Sequence, residues 1–249
     1  MGRLEGRTMV ITGAGRGLGR TLMRRFVAEG AQVIATARDL ARLEEAVGAL
    51  GDRAVAVAAD LGVPADVERV FAEADKRFGK LDVLINNAAI YDFFRIAEAT
   101  PERIRTTVYA NLLAPMLCTR AAAPLLQKAG GGDIINVTSE AVRTPFHYLT
   151  AYAATKTGLE NFSSNTHVEL RAANIRVTTL RLGAMSDPDR SEMTAMPEET
   201  LAFVAANSAA MASVGTTLMS FDHVANCVLD MLTMPAEVAY DIVELRPRL

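Results

Sequence analysis

The stretch Thr8-Met9-Val10-Ile11-Thr12-Gly13-Ala14-Gly15-Arg16-Gly17-Leu18-Gly19 decides how this chain is read. Thr8–Thr12 is a short apolar run that predicts a strand, and residues 18–29 carry helical periodicity closed by Gly30. Gly13, Gly15, Gly17 and Gly19 lie between them in the spacing T-G-x-x-x-G-x-G. Glycines in a strand-to-helix turn permit a tight reversal and let backbone N–H groups approach a pyrophosphate. The helix N-terminus adds a partial positive charge. A glycine-rich turn alone is a weak signal, but this one stands between the first strand and the first helix, where a nucleotide-binding fold needs it.

Outward from that turn, short β-branched runs alternate with longer helical stretches. Strands are expected at 32–37, 54–58, 83–86, 134–137, 176–182 and 242–245, and helices at 40–50, 64–78, 101–128, 151–172 and 222–232. Asp39 is positioned to cap the second helix, and Pro64 sits near the start of the third. The 101–128 stretch is expected to break near 111–115. The strand runs MVIT, VIATA, DVLIN and DIINV are nearly all apolar, as strands buried on both faces are. Together they predict an α/β, single-domain, Rossmann-like doubly wound parallel sheet with helices on both faces, spanning residues 1–249. Segment 184–217 holds Ser, Asp, Pro, Thr and four Met residues with weak periodicity. It follows directly from a strand end, and is expected to form a mobile lid over the site.

Composition narrows the function. The 249 residues are 50% hydrophobic and 22% charged, with 26 Lys plus Arg against 29 Asp plus Glu. This is the balance of a soluble globular protein, with no reason to expect nucleic acid or an anionic membrane as partner. Cys118 and Cys227 lie in no C-x-x-C pair, so they read as small apolar residues in a reducing compartment. The N-terminus lacks the apolar stretch of a signal peptide, and no apolar run of about 18 residues spans a membrane. A cytoplasmic protein is expected. No His, Cys, Asp or Glu group has metal-ligand spacing, so no metal is expected.

Tyr152 and Lys156, four apart near the start of a helix, share one helix face. A phenol of reference pKa about 10 is a poor base near neutrality. A nearby ammonium stabilises the phenolate and lowers that pKa, which makes the pair a tunable proton donor and acceptor. Ser139 ends the run DIINVTS, 13 residues before Tyr152, where its hydroxyl can donate to a reacting carbonyl oxygen or cap a turn. Thr138 is expected to face the other side of the strand.

With these motifs the chain resembles the short-chain dehydrogenase/reductase family over nearly its whole length. Further matches are Asp60-Leu61 after the third strand, Asn86-Asn87-Ala88-Ala89 after the fourth, and Asn111 in the middle helix. The resemblance implies a catalytic tetrad of Asn111, Ser139, Tyr152 and Lys156. Tyr152 would be the acid/base, and Ser139 would hold the substrate oxygen. Lys156 would bind the nicotinamide ribose and lower the Tyr152 pKa, and Asn111 would hold a relay water. The cofactor would meet Gly13, Gly15, Arg16, Gly17, Leu18, Gly19, Arg38, Asp60, Leu61, Asn87, Ala88, Tyr152, Lys156 and Gly183, with Asp60 reaching the adenine. The resemblance also implies a homo-oligomer, tetramer or dimer, with the helices around Asn111 and Tyr152 between subunits. The chain departs from the family pattern at Ala89, where Gly is usual, and at Leu182-Gly183, where Pro-Gly is usual. Ser186 stands for the usual Thr, and the chain ends DIVELRPRL.

An acidic residue at the end of the second strand binds the adenine ribose of NAD. Here that position is Ala37, followed by Arg38. Arg16 opposes the macrodipole of the first helix, and a 2′-phosphate forked by Arg16 and Arg38 accounts for it. Asp39 is the rival ribose acceptor. The sequence thus predicts hydride transfer between NADP(H), with NAD(H) possible, and an uncharged, fairly apolar ketone or secondary alcohol. A non-catalytic NADP(H)-binding redox sensor, an NAD(H)-dependent dehydrogenase, and an epimerase or dehydratase with retained nicotinamide are the alternatives. His147, Tyr148, Tyr91, Phe93 and Phe94 are placed at the substrate rim, or in ordinary packing.

Overall fold

The computed structural model describes residues 2–186, 198–214 and 217–248. Seven parallel strands form one sheet in the order β3-β2-β1-β4-β5-β6-β7. They are β1 (Thr8–Thr12), β2 (Gln32–Ala37), β3 (Ala54–Ala58), β4 (Val83–Asn86), β5 (Gly132–Ser139), β6 (Ile175–Leu182) and β7 (Ile242–Leu245). The order reverses between β1 and β4, and the crevice beyond the carboxyl ends of these two strands is where such sheets bind ligands.

Alternation along each strand sends side chains to two cores. Met9 and Ile11 of β1 pack with α1 (Gly17–Ala28), α2 (Leu40–Gly48) and α9 (Phe221–Leu232). Val10 and Ile34 face α3 (Pro64–Phe78) and α5 (Ala114–Lys128) on the other side. Each fully buried Leu, Ile or Phe contributes about 1.5–3 kcal/mol over leaving it exposed. The helix starts follow local chemistry. The Asp39 carboxylate accepts the Arg42 N–H at 3.1 Å, as expected of a cap. Pro64 opens α3, where its missing N–H costs nothing.

The middle helix does not break. α4 (Pro101–Val108) runs through a π-helical turn (Tyr109–Leu113) into α5. Pro115 has no N–H to give the carbonyl four residues back, which is that of Asn111, and a local widening accommodates this without ending the helix. α6 (Thr150–Leu170) carries Tyr152 and Lys156. Of the segment 184–217, residues 187–197 and 215–216 lie outside the described residues. The remainder holds two helices, α7 (Glu198–Ala206) and α8 (Ser208–Val214). The foot of this segment is pinned, since Met219 N–H donates to Ala184 O at 3.0 Å and Ser186 N–H to Met219 O at 2.9 Å.

Candidate active site

The glycine turn lies against the end of β4. Gly13 has φ +68°, and a Cβ there would sit 2.9 Å from the Ala88 Cα. A side chain on Gly19 would meet the Gly13 carbonyl. Thr12 locks the two loops together, its hydroxyl accepting the N–H groups of Asn87 and Ala88, each at 2.9 Å. The Asn87 amide donates to Thr12 O at 2.8 Å, so it braces the turn. This is a backbone cradle at a helix N-terminus, and its chemistry fits a dinucleotide pyrophosphate.

A basic corner borders the turn. A Cβ on Gly15 would lie 3.6 Å from the Ala37 Cβ and 3.8 Å from the Arg42 Cγ. Arg16 and Arg38 are each the next residue along, and both are exposed. Arg42 joins them one turn into α2. Sequence reading missed it, although its spacing from the Asp39 cap was visible. The Asp60 Oδ1 accepts the Gly62 N–H at 3.0 Å, closing the loop after β3 beside buried Leu61.

α6 is fastened to β5 along one face. Lys156 Nζ donates to Val137 O at 2.8 Å. Thr138 Oγ1 donates to Glu160 Oε1 at 2.9 Å, and the Asn136 amide to Ser163 Oγ at 2.9 Å. Glu160 is in turn forked by Arg181 of β6. Thr138 is thus committed to α6, while Ser139 stands at the strand end within hydrogen-bonding reach of the Tyr152 phenol. Asn111 is fully buried in the π turn, and its amide clamps Ile90 by accepting its N–H at 2.8 Å and donating to its carbonyl at 2.9 Å.

The expected lowering of the Tyr152 pKa by Lys156 does not hold in this geometry. Burial pushes Tyr152 up to about 12, against the Ser139 hydrogen bond, and the Glu140 carboxylate adds to the rise. Burial also brings Lys156 down to about 8. The lysine serves the β5 carbonyl, with Nζ 5.8 Å from the centre of the Tyr152 ring.

An aromatic wall surrounds the phenol. The Tyr91 ring is edge-on to Tyr152 at 4.9 Å and to Phe93 at 4.7 Å between centroids. Phe93 stacks on Phe203 of α7 at 4.4 Å. Asn207, buried just beyond α7, accepts the His147 N–H at 2.7 Å and donates to its carbonyl at 3.2 Å. Phe203 and Asn207 escaped sequence reading because they sit in an alanine-rich stretch without clear period.

The family model described as short chain dehydrogenase matches residues 7–198. The chain belongs to the short-chain dehydrogenase/reductase family. As a member it is an NAD(P)-dependent oxidoreductase acting on CH–OH groups. It is 34% identical over 184 residues to galactitol 2-dehydrogenase of Agrobacterium fabrum, covering 74% of this chain and 72% of that one. A short-chain dehydrogenase/reductase structure from Burkholderia xenovorans superposes with TM-score 0.85 at 27% identity, over 99% of this chain and 97% of that one. A metagenomic short-chain oxidoreductase solved in complex with NADP superposes with TM-score 0.79 at 27% identity, over 99% of both chains. Among the described residues no helix is long and apolar enough to cross a membrane.

Proposed function

We propose that the protein interconverts an apolar ketone and its secondary alcohol with NADP(H). The observation that carries this is the Ser139–Tyr152 pair, with Tyr152 buried and kept protonated beneath an aromatic wall. A redox sensor has no use for a buried acid at that place.

When bound, the nicotinamide supplies the hydride or takes it. Ser139 donates a hydrogen bond to the substrate oxygen, and Tyr152 gives that oxygen its proton in reduction or removes it in oxidation. Lys156 holds α6 on β5 and would face the ribose of a bound cofactor. Asn111 fixes the Ile90 loop with its side chain. Its main-chain carbonyl, denied a helical donor by Pro115, is the acceptor for a relay water. The glycine turn, Leu18, Leu61, Ala88 and Gly183 would line the dinucleotide site, and Asp60 would border its adenine end.

NADP(H) is favoured because exposed Arg16 and Arg38 follow Gly15 and Ala37, with Arg42 against the same turn, while the Asp39 carboxylate is taken by its own helix. The apolar substrate follows from Tyr91, Phe93, Phe203 and Met211. Galactitol 2-dehydrogenase names a polyol, but each polyol hydroxyl left unpaired against such a wall costs about 1–3 kcal/mol. The chain is taken as one domain, with segment 184–217 as the lid. Exposed Val108 and Tyr109, beside Asn111, suit a face between subunits of a homo-oligomer.

The test is a panel of aryl and alkyl ketones with NADPH and NADH, run beside galactitol and sorbitol with NADP+. Turnover of apolar ketones with NADPH supports the reading. Faster turnover of polyols overturns the substrate class, and binding without any turnover returns the sensor.

A further inference from the structure

The geometry points to Glu140 as a positioning residue that holds the substrate half and the cofactor half of the site in register, an inference that rests on the reading above. β5 and β6 pair up to Ser139 opposite Leu182. Beyond that rung the ladder stops and the strands diverge. One end carries Ser139 and the turn Glu140–Val142. The other carries Gly183 and Ala184 toward the lid. Hydride transfer would need the carbon held at Ser139 and Tyr152 to stay at a fixed distance from a cofactor beside Gly183, and direct pairing of β5 with β6 no longer enforces it.

Glu140 spans the gap. Its Oε2 lies 3.0 Å from where a Gly183 Cβ would be, and the carboxylate faces the Ala184 N–H. Gly183 is held from the other side by β7, through its N–H to Leu245 O at 2.8 Å. A Cβ on Gly183 would also lie 3.0 Å from the Pro247 Cδ and 3.1 Å from the Arg246 Cα, so only glycine fits between Glu140 and the chain after β7. Ala184 O takes the Met219 N–H, so the same residue roots the lid.

The groups around the carboxylate belong to four elements: Tyr152 of α6, Glu244 of β7, Arg246 after it, and the Ala184 N–H. Glu244 is itself paired with Arg143 and Arg181, each at 3.0 Å. Burial and Glu244 raise the Glu140 pKa, while Arg246 and the Ala184 N–H lower it, with a net rise. A half-buried carboxylate beside a buried phenol is costly to keep, and an apolar residue would pack there more cheaply. Holding Ala184 explains its presence, and its charge also favours the protonated form of Tyr152.

Two variants separate tie from charge. E140Q keeps an oxygen for the Ala184 N–H and drops the charge, whereas E140A loses both. Because a 1 Å misplacement can cost about 10²-fold, E140A is expected to lower kcat at least about tenfold, with ketone KM and NADPH Kd within about threefold of wild type. E140Q is expected to restore kcat and to move the pH profile of alcohol oxidation toward lower pH. Wild-type kcat in E140A, or E140Q as slow as E140A with an unmoved profile, overturns the proposal. Amide exchange at Ala184 tests the tie without turnover. It should quicken in E140A and not in E140Q, and equal exchange in all three proteins overturns the tie. A wild type that reduces no ketone sinks the functional reading alone and leaves exchange to decide. If E140A does not fold, E140D, which keeps the charge and shortens the reach, should show the same exchange and kcat change.

Discussion

Lys156 Nζ donates to the Val137 carbonyl at 2.8 Å, fixing the helix that carries the Tyr152 phenol to the strand that carries Ser139. Both partners are buried, and the ammonium sits there at a cost that brings its pKa down to about 8. Unfolded, the same lysine titrates near 10.5. Between these values the unfolded chain holds more protons than the folded one, so stability rises with pH across the window. Denaturant unfolding from pH 8 to pH 10 should show wild type gaining stability relative to Lys156→Met as pH rises. Parallel stability curves for the two proteins would count against the burial of Lys156.

Tyr152, held near 12, is an acid that keeps its proton at neutral pH. Reduction needs the protonated phenol and oxidation the phenolate. Ketone reduction should therefore be nearly flat from pH 6 to pH 8. Alcohol oxidation should climb with pH, approaching tenfold per unit while the phenolate is scarce. Rates of the two directions measured over that range check this. An oxidation rate already level at pH 7 would mean a phenol of much lower pKa.

The basic corner predicts a cofactor switch. Arg38→Asp puts a carboxylate where a 2′-phosphate is expected, replacing a charge-assisted fork that contributes about 1.5–3 kcal/mol. NADPH affinity should fall at least about tenfold and NADH affinity should hold or improve. Fluorescence titration with both nucleotides reads this. Equal losses would show that Arg38 does not distinguish them.

Phe203 stacks on Phe93 above the site and is almost wholly buried. Truncation in Phe203→Ala removes a side chain whose burial contributes about 1.5–3 kcal/mol. KM for bulky apolar ketones should rise about tenfold or more, and small ketones should be less affected. A uniform drop in kcat with unchanged KM would assign Phe203 to stability and not to substrate.

The sheet was legible because β1, β2, β4 and β5 are buried on both faces and so read as apolar runs. The glycine turn and the Tyr152–Lys156 pair stood out by spacing. Pro115 marked the irregularity at Asn111, but its form did not show, since a missing N–H removes one bond and leaves the neighbours free to widen into a π turn. The sense of the Tyr152 shift escaped because a four-residue spacing reveals a neighbour and not the depth of burial. Phe203 and Asn207 escaped because alanines blur the apolar period around them. Arg42 reaches the basic corner only through the fold that brings α2 to Gly15.

The Tyr152 hydroxyl is the group assigned to move the proton. The direct test is kcat for reduction of the best apolar ketone by NADPH in Tyr152→Phe, with NADPH affinity measured on the same protein. The ring and its contacts with Tyr91 remain, and only the hydroxyl is lost. The account predicts a fall in kcat of about 10²–10⁴-fold with nucleotide affinity within about threefold of wild type. Turnover within about tenfold of wild type would contradict it, because another group would then be delivering the proton.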